Sequence, residues 1–254
     1  MIIARKGTSD TMKNKWYWAF KHVIVGPFLH VYNRPEITGL DNIPATGPAI
    51  MASNHQAVMD SFYFPLKCPR QMVFPAKAEY FTAPGLKGDF KRWFFTALRQ
   101  IPLDRDAGNA LDSLRSTAKK VLDEGTLLSI YPEGTRSPDG RIYKGKVGMA
   151  VVALETGVPV IPVAMIGSRD ANPIGTTFPR PKKVRMKVGE PIDPIAFATE
   201  HGLDPENPAT ARALTDHVMH TLSELTGQPY VDVYAKEVKE SLAAGKGYPK
   251  GAEP

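Results

Sequence analysis

The stretch of this chain best suited to chemistry is Ser53-Asn54-His55-Gln56-Ala57-Val58-Met59-Asp60. It follows directly on Ala49-Ile50-Met51-Ala52-Ser53, an apolar run with the length of a buried strand. A carboxylate beside a histidine makes a competent base. It fixes the ring tautomer and stabilises the imidazolium formed when the other nitrogen takes a proton. On one regular helix His55 and Asp60 would point roughly 140° apart. They meet only if the chain turns after His55, as at a strand end entering a helix, on the rim where open α/β sheets bind ligands. The same residues also admit a plainer reading, a helix-capping Asp60 and an unrelated surface His55.

Two further segments put charge just beyond strand-like runs. Ile101-Pro102-Leu103-Asp104-Arg105 ends one run, and Tyr131-Pro132-Glu133-Gly134-Thr135-Arg136-Ser137 follows the most apolar run of the chain. Guanidinium groups at such positions, Arg105 and Arg136, suit fork-like binding of a phosphate. Val158-Pro159-Val160-Ile161-Pro162-Val163 is another apolar strand, whose prolines predict an edge or a bulge. The stretch from Gly140 to Val147 has the spacing of a phosphate-binding loop. It fails where Ser or Thr should hold magnesium, and polar Pro138-Asp139 precedes it in place of a strand. There is no Gly-x-Ser-x-Gly nucleophile elbow and no Gly-x-Gly-x-x-Gly after a strand. Cys68 is the one cysteine, which excludes an intramolecular disulfide framework and a cysteine-rich zinc module; it reads as a packing residue.

The elements that must position these residues follow from apolar periodicity. Leu111, Leu114, Ala118, Val121 and Leu122 predict a helix over 107–123, stopped by Gly125, and 126–131 returns to strand. Val147, Ala150, Val151 and Leu154 mark a helix closed by Gly157, and 158–166 is strand again. Lys183 to Val188 alternates with period two, so one face is wet. The last strong helix runs from an Asn207 cap and Pro208 to Gly227. Alternation of this kind predicts one α/β domain with a central, mostly parallel or mixed sheet flanked by helices. The body of the domain is expected over 35–228. Residues 229–254 are read as a carboxyl-terminal tail, loose over 240–254 where Gly and Pro outweigh apolar residues.

Of 254 residues, 32 are Lys or Arg and 26 are Asp or Glu, for a net charge of +6. Residues 1–34 hold six of the basic residues and one acidic residue, so nearly all of the excess sits at the amino end. A nucleic-acid binder would spread its charge over a binding face. The same segment contains Trp16, Tyr17, Trp18, Phe20 and Phe28, with Pro27 expected to break any helix. It is too charged to span a bilayer. Two readings remain: a helix packed on the body, or a helical segment lying in an anionic membrane interface.

Taken in order, Asn54-His55 through Asp60, Leu103-Asp104-Arg105, Pro132 through Ser137 and Val158 through Pro162 resemble the four blocks of the glycerolipid acyltransferase superfamily. The branch they resemble most is that of the 1-acylglycerol-3-phosphate (lysophosphatidic acid) acyltransferases. Lys77-Ala78-Glu79-Tyr80-Phe81 with Pro84-Gly85 is similar to the family's segment between its first two blocks. The resemblance covers about 35–195, including Val188-Gly189-Glu190-Pro191-Ile192. It implies a glycerol-3-phosphate acyltransferase-like fold in which His55 is the general base and Asp60 its orienting partner. It implies that Glu133, Gly134, Thr135 and Arg136, with Arg105 and Lys77, hold the acceptor's phosphate. Glu133, itself an anion, would orient Arg136 or the glycerol hydroxyls. Val160 and Pro162 would border the acyl or acceptor groove, and Phe62 and Tyr63 are bulkier there than in some relatives.

The implied reaction moves an acyl group from an acyl-CoA or acyl carrier protein thioester to lysophosphatidic acid, giving phosphatidic acid, with no metal or cofactor. The basic, aromatic amino end predicts a monotopic or peripheral setting on the cytoplasmic face of an anionic membrane, with no nucleic-acid partner. Other readings are an acyltransferase for glycerol-3-phosphate, another lysophospholipid or a glycolipid, a metal-dependent hydrolase using His55, Asp60 and Glu133, and a non-catalytic lipid-binding module.

Overall fold

The computed structural model describes residues 15–103, 110–176 and 178–254, apart from the Lys77 side chain. The described chain opens with α1 (Lys15–Ala19), a π-helical turn (Phe20–Ile24) and α2 (Gly26–Tyr32). It continues through β1 (Glu36–Thr38), β2 (Ala49–Ser53), α3 (Asp60–Lys67), β3 (Met72–Val73), β4 (Pro75–Lys77), α4 (Glu79–Thr82), α5 (Gly85–Ala97) and β5 (Ile101–Leu103). Next come α6 (Ala110–Asp123), β6 (Leu127–Ile130), β7 (Ile142–Tyr143), α7 (Gly148–Thr156), β8 (Val160–Ile166) and α8 (Ser168–Ala171). Last are β9 (Arg185–Val188), α9 (Pro194–Glu200), α10 (Pro208–Thr226), β10 (Tyr230–Val231) and α11 (Ala235–Ala243).

Six strands form the central sheet in the order β1-β9-β8-β2-β6-β3. Neighbours are parallel except β8 and β9, which are antiparallel. Successive side chains on a strand face opposite sides, and here both sides are dry. Ile50, Ala52, Leu128, Ile130 and Val160 point into a cluster with residues of α6, α7 and α10. Ala49, Met51, Leu127, Ile161 and Val163 point into a second cluster with Leu29 of α2 and Tyr63 and Phe64 of α3. Continuous apolar runs such as Ala49–Ser53 are what a strand covered on both faces demands. Ala52 pairs with Ile130, so His55 and Glu133 each lie three residues beyond the same rung, at one edge of the sheet.

The sheet decides between the two readings of β8, an edge or a bulge. β8 is not an edge strand, because it lies between β2 and β9. The bulge is present instead: Val163 pairs with Val188, whereas Val160 bridges Ile192, one residue out of step, and between them the Pro162 carbonyl accepts from the Gly189 N–H. The predicted ends of α10 are as expected, with the Asn207 side chain accepting from the Ala209 N–H and Gly227 in the left-handed region at φ 71°.

The carboxyl-terminal segment is not loose. β10 pairs with β7 in parallel, and Tyr143, Val231, Ala235, Val238 and Ala252 form a third apolar cluster. Arg141 fastens the end of the chain. It donates to the carbonyls of Ala252 (2.6 Å) and Glu253 (2.8 Å), and its guanidinium lies 5.4 Å from the centre of the Tyr248 ring. Few apolar residues suffice here because one arginine satisfies the polar groups that would otherwise keep the segment in water.

The amino-terminal helices present two faces. Tyr17 and Leu29 are buried against the body, whereas Trp16, Val23, Ile24, Phe28 and Val31 are exposed. The chain bends at Gly26, where a Cβ would lie 1.7 Å from the Lys21 carbonyl oxygen. Pro27 then occupies the first turn of α2, where its missing N–H costs nothing. Among the described residues, no helix is long and apolar enough to cross a membrane.

Replacing Arg141 tests the packed tail. Arg141→Ala removes two carbonyl contacts and an ion pair to Asp139, and should lower stability by about 1–3 kcal/mol. Limited proteolysis should then cut the carboxyl-terminal segment well before the rest of the domain. Equal resistance in the variant and the unaltered protein would show that the clamp does not hold the segment.

Candidate active site

His55 is fixed on every side. Beyond β2 the chain turns back so that the first residue of α3, Asp60, faces the loop that precedes it. One oxygen of Asp60, Oδ2, accepts from the backbone N–H of Gln56 (2.7 Å), the N–H of Ala57 (2.8 Å) and His55 Nδ1 (3.1 Å). Asp60 is 1% exposed, so these N–H groups replace the water an ionised carboxylate would otherwise need. With Nδ1 committed to the carboxylate, Nε2 is the nitrogen able to take a proton. The His55 side chain keeps 18% of its surface open to solvent.

The strand ends hold this loop. The buried Asn54 side chain donates to the Met165 carbonyl (3.0 Å) and accepts from the Met165 N–H (2.7 Å), tying the end of β2 to β8. From the other side, the His55 N–H donates to Glu133 Oε2 (2.8 Å), and the Ser137 N–H donates to the His55 carbonyl (2.7 Å). The His55 ring stacks on Tyr131 with centroids 3.9 Å apart and planes inclined by 13°. The Tyr131 hydroxyl lies 2.9 Å from Ser61 Oγ. Burial first, and the nearby Asp60 charge second, raise the Tyr131 pKa well above its ordinary value, so it remains a neutral phenol.

Glu133 does not have the expected role. It is 1% exposed; Oε2 accepts from His55 N–H and Oε1 from Tyr143 N–H (2.9 Å). Its side chain braces the histidine loop and leaves no oxygen free to orient glycerol hydroxyls. Among the described residues, no group of three His, Cys, Asp or Glu side chains is placed to hold a metal ion, His55, Asp60 and Glu133 included. Burial pushes its pKa up to about 8, against the two N–H bonds that favour the anion.

Around Gly134–Arg136 the field is positive. Gly134 has φ 71°, and a Cβ there would lie 3.3 Å from Lys146 Nζ, so the lysine lies directly against the loop. Lys239 of α11 donates to Thr135 Oγ1 at 2.9 Å. None of the ion pairs among the described residues uses Arg136, Lys146 or Lys239. The carboxylate of Asp139 is engaged by Arg141 and Tyr143. A group of cations without carboxylate partners, on the loop that binds the His55 carbonyl, suits an anionic ligand.

The remaining predicted residues divide. Lys77 ends β4 in register with Leu103 of β5, which brings its backbone beside the start of the second block; Arg105 lies outside the described residues. Val160 and Pro162 do not border a groove. Val160 is 0% exposed and pairs with Ile50, five residues before His55, about 16 Å along a strand at ~3.3 Å per residue. Pro162, opposite Ala52, is likewise buried in the sheet. The apolar groove near the site is elsewhere, a narrow cleft of about 40 Å³ between the amino-terminal helices and α3. Tyr17, Phe20, Leu29, Ser61, Phe62 and Phe74 line it. Of the two bulky residues, Phe62 lies on the groove wall, while Tyr63 is wholly buried in the core.

Lys146 and Lys239 were not anticipated from the sequence. Lys146 lies in the stretch set aside as a false phosphate loop, and Lys239 in the segment read as tail.

With this geometry in view, the sequence profile of the family described as Acyltransferase matches residues 34–166, just over half of the chain. The chain belongs to the acyltransferase family. His55, Asp60, Glu133 and Arg136 all lie inside the matched segment; Lys239 lies outside it. The chain is similar to a chloroplastic 1-acyl-sn-glycerol-3-phosphate acyltransferase of Arabidopsis thaliana, with 30% identity over 72% of this chain and 50% of that one. It is similar to 1-acyl-sn-glycerol-3-phosphate acyltransferase alpha of Mus musculus, with 29% identity over 74% and 62%. It thus spans about half the length of the chloroplastic relative. The crystal structure of the 1-acyl-sn-glycerophosphate acyltransferase PlsC of Thermotoga maritima superposes with a TM-score of 0.60 at 27% identity, covering 85% of this chain and 81% of that one. The α/β fold of this acyltransferase is therefore shared with a solved relative.

Glu133→Gln separates a brace from a substrate ligand. It leaves one acceptor and sets an NH2 group against a backbone N–H, so stability should fall by about 1–3 kcal/mol. Turnover should fall with it, while the acceptor KM changes little. Loss of acceptor binding at normal turnover would return Glu133 to the substrate. The pH dependence has a defined sign. The folded pKa of about 8 lies above the ordinary 4.5, so the unfolded chain releases this proton first as pH rises. Glu133 therefore removes stability between about pH 4.5 and 8, a slope that urea titrations should find missing from Glu133→Gln.

Proposed function

We propose that this acyltransferase moves an acyl group from a thioester to the free hydroxyl of 1-acylglycerol-3-phosphate, yielding phosphatidic acid and a free thiol. The observation that carries the reading is a histidine whose Nδ1 is held by a buried carboxylate, beside cations that have no carboxylate partner. The 1-acylglycerol-3-phosphate named for the similar proteins is an anionic acceptor of the kind those cations suit.

The chemistry needs little more. A thioester already has a good leaving group, so the main requirement is a base for the acceptor hydroxyl held near the carbonyl carbon. His55 Nε2 takes the hydroxyl proton as its oxygen attacks. The imidazolium is stabilised by Asp60. The tetrahedral adduct then collapses, the C–S bond breaks, and the imidazolium returns the proton to the departing sulfur. No acyl-enzyme forms. The acyl chain is assigned to the groove between the amino-terminal helices and α3. That groove reaches Ser61 and Phe74, both of which contact Tyr131, the ring stacked on His55. The donor is an acyl-CoA or an acyl carrier protein thioester, with no further cofactor.

A lipid acceptor brings the site to a bilayer. Trp16 packs edge-on against Trp93, and Phe20 against Phe94, so the amino-terminal helices and α5 make one aromatic surface. Trp16, Ile24, Phe28, Leu86, Phe90 and Trp93 are exposed on these elements. Together with the positive amino end they support monotopic seating on an anionic cytoplasmic membrane face.

Two experiments test this reading. Purified protein given acyl-CoA and lysophosphatidic acid should release thiol and form phosphatidic acid in equal amounts. His55→Ala should lose about 10²–10⁴-fold in rate with the fold intact. Thiol release without phosphatidic acid, or near-normal rates in folded His55→Ala, would overturn the reaction. In vesicle flotation, Trp16→Ser combined with Phe28→Ser and Trp93→Ser should release the protein from anionic vesicles while sparing activity on detergent-dispersed acceptor. Unchanged flotation would place the anchor on another surface.

A further inference from the structure

Resting on that reading, we propose that Lys239 of α11 is a ligand for the acceptor's phosphate, so that the carboxyl-terminal segment selects for a phosphorylated acceptor. The lysine lies outside the segment matched by the family profile and is carried to the site by elements of its own. β10 pairs with β7, Lys144 pairs with Asp232 at 2.9 Å, and Arg141 holds the carbonyls of Ala252 and Glu253. Ala235 and Val238, on the packed side of α11, are 0% exposed and lock its rotation. Lys239, the next residue, is thereby directed at the Gly134–Arg136 loop, where its Nζ donates to Thr135 Oγ1.

Three features of this contact point to an anion. First, Lys239 bonds to Thr135, the residue before Arg136, and burial first and the Arg136 charge second lower the lysine pKa. Two cations at neighbouring positions of one loop, with no carboxylate partner among the described residues, favour a negative group between them. Second, Thr135 accepts from Lys239 through its oxygen, so its own hydroxyl proton is free to donate outward. Third, Lys146 approaches the same loop at Gly134. A phosphate monoester, with about two negative charges and three strong acceptor oxygens, can take the guanidinium fork, an ammonium and the hydroxyl at once. An uncharged acylglycerol would leave these donors unmatched, which is where selectivity arises.

The test uses the full-length protein, with acyl-CoA and lysophosphatidic acid varied separately. Lys239→Ala should raise the KM for lysophosphatidic acid roughly tenfold, leaving the acyl-CoA KM and the turnover at saturation little changed. Lys239→Arg should restore most of the loss, as a purely structural contact to Thr135 would not require. The preference for lysophosphatidic acid over uncharged 1-monoacylglycerol should shrink in Lys239→Ala by a similar factor. An unchanged lysophosphatidic acid KM, a rise confined to acyl-CoA, or failure of the arginine variant would overturn the assignment. Absence of phosphatidic acid formation by the unaltered protein would instead bring down the proposed reaction.

Discussion

The structure of the site depends on how one peptide unit, that of His55, is held. Its N–H is bound by Glu133 and its carbonyl by the Ser137 N–H, while its ring is held by Asp60 at Nδ1 and by Tyr131 on one face. These partners come from two loops that are neighbours only because β2 and β6 are parallel and in register, Ala52 against Ile130. A shift of register by one residue would send every inward side chain of a strand to the other face. The dry packing on both faces of the sheet therefore fixes the active geometry as well as the fold. Asn54 extends the same control to β8, so three adjacent strand ends set the position of one imidazole.

Around that fixed point the functions separate in space. Apolar surface gathers on the side of the amino-terminal helices and α5, where a groove reaches the Tyr131 ring. Positive charge gathers at the loop after Glu133. The proposed acceptor, with an anionic head and an acyl chain, would span such a division, with the hydroxyl between them near the histidine. Glu133 serves both sides without touching either: its two N–H contacts tie the histidine loop to β7, and β7 in turn pairs with the strand that carries α11.

Much of this was legible in the sequence where the determining contacts are local. The turn that joins His55 to Asp60 spans six residues, and its need for a bend follows from the helical angle alone. β2 and β6 were legible as apolar runs, and α10 by its Asn207 cap and Gly227 stop. What was not legible depends on pairings between distant segments. Val160 and Pro162 belong to a block whose family resemblance implies a groove border, yet burial on both faces of β8 makes them core. Glu133 stands in a block whose resemblance implies contact with the acceptor, whereas its own carboxyl turns inward to two backbone N–H groups. Lys239 carries no local signal at all. A two-residue strand, one arginine and five small or aromatic side chains bring it to the site.

The central claim is that Asp60 keeps the proton on His55 Nδ1 and leaves Nε2 as the base. Nitrogen-15 NMR of histidine-labelled protein, with His55 identified by its loss in His55→Ala, reads this directly at a pH where the ring is neutral. The account predicts a single Nδ1–H tautomer in the unaltered protein and its collapse to a mixture, or to Nε2–H, in Asp60→Asn. A proton found on Nε2 in the unaltered protein, or a tautomer indifferent to Asp60, would contradict it.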